Sequence, residues 1–263
     1  MNNSTTAALI TGASGGIGYE LAKLFAKDHH NLVLVARAGT KLAQFADELQ
    51  RSYGVSAKTV ALDLAAPNAS PLLFDQLRRD AIAVDILVNN AGYGKLGEFA
   101  AVPVEESLGQ IQLNVTALTH LTKLFLGPML ERGSGKIMNV ASTAGFQPGP
   151  CMAVYYATKA YVISFSEALA NELHGTGVTV TCLCPGPTAT GFASRAGNDK
   201  SRLFKQLRPM DAKTVALKGY RGLRAGKTLV IPGLRNWLVT ESLRISPRRV
   251  VTAVSRRLMD AVE

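Results

Sequence analysis

Short runs rich in Val, Ile and Leu recur along this 263-residue chain, as Ala7 to Thr11, Leu32 to Ala36, Lys58 to Leu62, Ile86 to Val88, Lys136 to Val140, Val178 to Leu183 and Thr228 to Ile231. Longer segments with apolar residues at helical spacing separate them, such as Leu21, Leu24 and Phe25 in the first and Leu113, Leu118, Leu121, Leu124 and Phe125 in the fourth. Strand alternating with helix implies βαβ units, and these imply a parallel sheet covered by helices on both faces. Strands in such a sheet should be apolar throughout rather than alternating, as Leu32-Val33-Leu34-Val35-Ala36 is. No repeat, low-complexity tract or linker interrupts the series. The expectation is therefore an α/β fold, a single doubly wound domain over residues 1–263. Its least regular stretch, about 187–210, reads as a loop with short helices that would form a lid.

With 47% hydrophobic and 18% charged residues the chain can bury a sizeable core and is far from a disordered composition. No apolar run approaches the roughly 18 residues of a membrane span. The opening Met-Asn-Asn-Ser-Thr-Thr has neither a basic n-region nor a signal-type core, so a cytoplasmic protein is expected, free or peripheral to a membrane. Cys151, Cys182 and Cys184 are odd in number and lack metal-ligand spacing, so they read as reduced structural thiols and no metal is expected.

The net charge of +10 is unevenly placed: residues 1–194 hold 13 Lys+Arg against 14 Asp+Glu, and residues 195–263 hold 16 against 5. In that basic quarter, Leu234, Trp237, Leu238, Leu243 and Ile245, then Val250, Val251, Val254 and Leu258, recur at helical spacing on either side of Pro247, with six arginines around them. Two short basic amphipathic helices over about 233–263 follow. They would cover the sheet edge or a subunit interface, or hold an anionic membrane or an acidic carrier protein. A nucleic-acid partner is not expected, because Trp237 and Tyr220 are too few aromatics for a stacking surface.

Directly after the first apolar run comes Thr11-Gly12-Ala13-Ser14-Gly15-Gly16-Ile17-Gly18, and an amphipathic helix follows at once. Such a turn needs backbone angles that glycine adopts freely, and a missing Cβ lets N–H groups approach a pyrophosphate at the positive helix end. A dinucleotide site is the reading, with Gly12, Ser14, Gly16, Ile17 and Gly18 in contact, although the spacing departs from the general Gly-x-Gly-x-x-Gly fingerprint. The second strand ends Val35-Ala36-Arg37. A free ribose 2′-hydroxyl usually meets a carboxylate there and a 2′-phosphate meets an arginine, so Arg37 favours NADP(H) over NAD(H).

Further along stand Asn89-Asn90-Ala91-Gly92, Asn114, Ser142, Tyr155 with Lys159, and Pro185-Gly186; three of these groups, like the glycine turn, follow C-terminal strand ends, the edge where open α/β sheets bind ligands. With the glycine turn, these motifs in this order resemble the short-chain dehydrogenase/reductase family over about residues 5–192. The resemblance implies a Rossmann-type domain, a nicotinamide cofactor and a tetrad of Asn114, Ser142, Tyr155 and Lys159. Tyr155 would be the acid that protonates a reduced carbonyl. A tyrosine has a pKa of about 10, and lowering it by three units takes about 4 kcal/mol of phenolate stabilisation, a role expected of the Lys159 ammonium. Ser142 would hold the carbonyl oxygen and Asn114 would position a proton-relaying water. Helix geometry lets Tyr156 reach Lys159 as well as Tyr155 does, and the Tyr-x-x-x-Lys pattern chooses Tyr155.

The resemblance also implies cofactor contacts at Asp63 and Leu64 by the adenine, at Asn90, Ala91 and Gly92 along the ribose, at Tyr155 and Lys159, and at Pro185, Gly186, Thr188 and Thr190 by the carboxamide. It implies a homo-dimer or homo-tetramer. Apolar walls are expected from Phe146, Met152, Phe192, Leu203, Phe204 and Met210, which suits a hydrophobic or lipid-like ketone or aldehyde as the small-molecule carbonyl substrate. The expected function is NADP(H)-dependent reduction of that carbonyl to an alcohol. Two alternatives stand beside it: a 3-oxoacyl-thioester reductase, whose carrier arm would meet Arg195, Lys200, Arg202, Lys205 and Arg208, and a non-catalytic NADP-sensing protein.

Overall fold

The computed structural model describes residues 5–197, 201 and 208–259. Its strands are β1 (Thr5–Thr11), β2 (Asn31–Ala36), β3 (Ala57–Ala61), β4 (Ile82–Asn89), β5 (Gly135–Val140), β6 (Val178–Leu183), β7 (Thr188–Ala189), β8 (Met210–Asp211) and β9 (Leu229–Val230). Its helices are α1 (Gly16–Lys27), α2 (Gly39–Tyr53), α3 (Ala69–Arg79), α4 (Val104–Ile111), α5 (Leu118–Glu131), α6 (Ala153–Glu172), α7 (Phe192–Ala196), α8 (Ala212–Arg224), α9 (Leu234–Leu243) and α10 (Arg248–Met259). Seven strands form one sheet in the order β3-β2-β1-β4-β5-β6-β9, every pairing parallel. The expected doubly wound, Rossmann-type sheet is what the chain forms.

Successive residues of β1 feed opposite layers. Ala8 and Ile10 pack with Leu21 and Phe25 of α1, Leu42 and Phe45 of α2 and Val215 and Leu223 of α8. Ala7 and Leu9 pack with Leu73 and Leu77 of α3, Leu121 and Phe125 of α5 and Leu169 of α6. Burial on both faces is why the strands carry no polar alternation. β4 is longer than its apolar core suggested, because Asp85 sits where the register against β1 shifts, between the Ala7–Val84 and Ala8–Ile86 pairs, and breaks the hydrophobic run. Between α4 and α5 the helix widens to a π turn over Gln112–Ala117, a local irregularity of the kind often found at functional sites.

The segment read as a lid is fastened at both described ends, since β7 and β8 pair as Thr188–Met210 and Ala189–Asp211. The basic C-terminal segment forms α9 and α10, interrupted before Arg248 as Pro247 predicts. Both helices and the turn between them expose apolar residues, among them Leu234, Trp237, Leu238, Ile245, Val250 and Val254.

One polar network lies inside this apolar framework. Asn89 Nδ2 donates to Asn139 Oδ1 at 2.9 Å and to Thr122 Oγ1 at 3.0 Å, Asn139 Nδ2 donates to Ser166 Oγ at 3.0 Å, and the Ser166 hydroxyl donates to the Val162 carbonyl at 2.6 Å. It ties β4 and β5 to α5 and α6, the elements that carry the site. Asn139→Ala leaves the amide of Asn89 and the hydroxyl of Ser166 short of partners in a dry interior. The expected cost is about 2 to 4 kcal/mol, combining the lost hydrogen bonds with two under-satisfied groups, read as a lowered urea midpoint at unchanged slope.

Candidate active site

The sheet order reverses between β1 and β4, and their loops diverge into a crevice at the C-terminal edge, a cleft of about 640 Å³. Its first wall is the glycine turn. Gly12 has φ of 65° and Gly16 of 59°, in the left-handed region where side chains are strained. A Cβ on Gly12 would lie 2.8 Å from Asn90 Nδ2, and one on Gly16 would lie 3.1 Å from Thr190 Cγ2. The helix that follows has glycine at its N-cap, no side-chain cap and no acidic residue in its first turn. Free N–H groups and the positive end of α1 therefore face a bare, side-chain-free approach, which fits a pyrophosphate.

Gly12, Ser14, Gly16 and Ile17 line the cleft as expected, but Gly18 does not. It is buried beneath the turn, where a Cβ would stand 2.6 Å from the Gly12 carbonyl oxygen, so it serves the close packing of α1. Asn90, Ala91 and Gly92 line the cleft, and the Asn90 amide is spent internally, donating to the carbonyls of Thr11 at 2.9 Å and Gly12 at 3.2 Å. Leu64, Pro185, Gly186, Thr188 and Thr190 line it as well. The hydroxyl of Thr188 donates to the Gly186 carbonyl at 2.8 Å, and that of Thr190 accepts the Phe192 N–H at 3.2 Å.

Arg37 and Asp63 both line the cleft and lie 3.8 Å apart in a loose, exposed ion pair. Such a pair is weak and screened by water. Lys41, which the sequence reading missed, joins them from the first turn of α2, a helix whose N-cap Ala38 likewise offers no side-chain cap. Its signal was a second cation one helical turn after Arg37.

Tyr155 and Lys159 lie on α6, Ser142 follows β5, and all three reach the cleft. The Lys159 ammonium stands 5.8 Å from the centre of the Tyr155 ring and donates to the Val140 carbonyl at 2.7 Å. Burial pushes the Tyr155 phenol well above its ordinary range, and the nearby Ser142 hydroxyl pulls it back. In this geometry the Lys159 ammonium is engaged on the strand and desolvation dominates the neutral tyrosine. Desolvation also draws Lys159 down to about 8, against the opposing pull of Cys182 and Cys184 on β6.

Asn114, at the π turn, is buried behind the cleft rather than in it. Its Oδ1 accepts the Tyr93 N–H at 3.1 Å, and its Nδ2 donates to the Tyr93 carbonyl at 2.8 Å and to Thr158 Oγ1 at 3.1 Å. These contacts make it a positioning residue for the Gly92–Tyr93 wall. A Cβ on Gly92 would press on Asn114 Oδ1 at 3.0 Å while standing in ordinary contact with Lys159 Nζ at 3.5 Å, so glycine favours the close approach of that wall to Asn114.

Beyond Tyr155 the cleft continues into an apolar lobe. Met152 and Phe192 line it as anticipated, whereas Phe146 packs with Val162, Ile163 and Cys182, and Met210 packs beside α8. Leu203 and Phe204, with Lys200, Arg202 and Lys205, lie outside the described residues. Tyr156 is more buried than a half-exposed helix residue, with burial pushing its phenol up to about 12. Met259, from the end of α10, also lines the cleft, and nothing in its sequence setting pointed there.

A glycine turn on a helix N-terminus, a Ser–Tyr–Lys group with its tyrosine and lysine buried, and an apolar lobe, strung along the C-terminal edge of a doubly wound sheet, define a nucleotide-dependent oxidoreductase. The short chain dehydrogenase family model matches residues 6–201, and the chain belongs to that family. It is 38% identical over 180 residues to the ketoacyl reductase HetN of Nostoc sp., covering 68% of this chain and 62% of that one. It is 39% identical over 184 residues to the very-long-chain 3-oxoacyl-CoA reductase of Phaeosphaeria nodorum, covering 68% of this chain and 53% of that one. The alignments thus span less than two thirds of these relatives' length. Among solved structures, a short-chain dehydrogenase from Sphingobium yanoikuyae in complex with NADPH superposes with a TM-score of 0.82 at 34% identity, covering 91% of this chain and 93% of that one.

Proposed function

We propose that this protein is an NADP(H)-dependent reductase that converts a ketone or aldehyde with an apolar substituent to the alcohol. The observation that carries the reading is the Tyr155 phenol, buried and paired with Ser142, at the junction between the glycine-turn half of the cleft and the apolar lobe. A reduced nicotinamide supplies, when bound, the hydride that the carbonyl carbon receives. Tyr155 gives its proton to the carbonyl oxygen as negative charge develops there, while the Ser142 hydroxyl holds that oxygen against the phenol. The Lys159 ammonium lies close enough to the ring to stabilise the phenolate left behind. A phenol kept protonated by burial suits reduction, because oxidation of the alcohol would need the phenolate at the outset. A nucleotide sensor would have no use for this arrangement.

Arg37, Lys41 and the uncapped start of α2 gather positive charge at the end of β2 and support a 2′-phosphate there. The NADPH complex of the Sphingobium relative points the same way. The names of the Nostoc and Phaeosphaeria relatives favour a second reading within the same chemistry, a 3-oxoacyl thioester as the carbonyl substrate.

NADPH oxidation measured with apolar ketones and with 3-oxoacyl thioesters tests both readings. Tyr155→Phe is expected to abolish turnover while NADPH still binds, and Tyr156→Phe to keep most of it. A dead Tyr156→Phe with an active Tyr155→Phe would reverse the assignment of the acid. Arg37→Asp is expected to raise the Kd for NADPH about tenfold, the loss of one charge-assisted hydrogen bond, with little change for NADH. An unaltered NADPH-to-NADH ratio in that variant would remove Arg37 from the phosphate site.

A further inference from the structure

We infer that Met259, at the end of α10, sets the size of the carbonyl substituent that the site accepts. The inference rests on the carbonyl-reductase reading above and names the residue that tunes it. Met259 is 3% exposed and belongs to one apolar cluster with Ala144, Met152, Tyr155, Tyr156 and Ala196, against which Leu96, Cys151 and Phe192 also pack. It lines the cleft beside Met152, Tyr155 and Phe192, so it closes the lobe immediately next to the acid.

Helix α10 is held in that position by its inner stripe. Val251 and Thr252 are half-buried, Ser255 is buried against the Tyr156 hydroxyl, and Leu258 and Met259 follow at helical spacing, while Arg248, Arg249, Val250, Val254 and Arg257 are exposed. Arg256 adds an ion pair to Glu98 at 2.8 Å. The loop that carries Glu98 is itself fastened across the lobe, Leu96 N–H donating to the Ala196 carbonyl and Gly97 N–H to the Cys151 carbonyl, both at 2.8 Å. Four separate segments therefore meet around one apolar space, and α10 comes from a part of the chain beyond the 6–201 span of the family match.

Methionine is an unbranched, adaptable filler, and cutting it to alanine frees the volume of its three outer atoms in the lobe. A hydrophobic pocket discriminates by roughly tenfold or more for each methylene it gains or loses. The experiment compares kcat/KM for benzophenone and acetophenone, with long- and short-chain 3-oxoacyl thioesters run beside them. Met259→Ala is expected to raise the bulky-to-small ratio about tenfold, and Met259→Phe to lower it by a similar factor, each with the Kd for NADPH unchanged. Met259→Phe, which keeps the wall covered, reads the same ratio if Met259→Ala fails to fold. Ratios that stay at the wild-type value in variants that still turn over would overturn the inference and leave the reductase reading standing. A wild-type protein that oxidises NADPH with none of these carbonyls would overturn that reading, and the inference with it.

Discussion

Thr11 and Asn90 fasten the C-terminal ends of β1 and β4 at the place where the sheet order reverses. The Thr11 hydroxyl donates to the Val88 carbonyl at 3.2 Å and accepts the N–H groups of Asn90 at 2.9 Å and Ala91 at 3.0 Å, while the Asn90 amide returns to the carbonyls of Thr11 and Gly12. The two loops are thus tied to each other through the Thr11 hydroxyl and the Asn90 amide. The glycine turn can then keep its left-handed backbone and its bare face, and the crevice beside it has a rigid floor. Asn114 braces the same β4 loop from the other side by holding both backbone groups of Tyr93. Ser142 joins the loop after β5 to the loop after β6 through the Pro185 carbonyl at 3.3 Å. The site is a row of loops cross-braced by side chains of their own.

How much of this the sequence disclosed depends on the range of the interactions concerned. The strands were legible because burial on both faces removes the polar residues, and the glycine turn because its backbone angles restrict the residue type. The Ser142, Tyr155 and Lys159 group was legible because its members each follow a recognisable element. Gly18 was read as a ligand contact because a packing glycine and a ligand-facing glycine look alike in a motif, and only its burial against the Gly12 carbonyl sets it apart. The hold of Asn114 on the Tyr93 backbone was not legible, because it depends on the π turn and no sequence pattern specifies that. Met259 was missed because its role comes from packing between segments far apart in the chain, whereas Lys41 carried a local signal that went unread, a second cation one helical turn after Arg37. Phe146, placed on the substrate side by its position after Ser142, turns instead to the α6 core.

The electrostatics of α6 join fold and chemistry. Tyr155 and Lys159 are both taken out of water, and burial opposes charge on each, raising the phenol and drawing the ammonium to about 8. The sheet compensates the lysine through the Val140 carbonyl, a backbone acceptor released at the end of β5. A neutral acid beside a cation close to its titration point is what carbonyl reduction requires: the first supplies the proton, and the second offsets the phenolate that remains. The Asn89–Asn139–Ser166 network below them fixes the distance between α6 and the strands on which this balance depends.

The central claim is that the Lys159 ammonium stabilises the spent Tyr155 acid, and the pH profile of kcat for ketone reduction tests it most directly. The account predicts a plateau that falls as pH rises through about 8, where the lysine loses its charge, and a fall displaced upward in Lys159→Arg, whose guanidinium stays charged. A wild-type profile flat to about pH 10, the ordinary range of an unperturbed lysine or tyrosine, or an inflection that stays in place in the arginine variant, would contradict it.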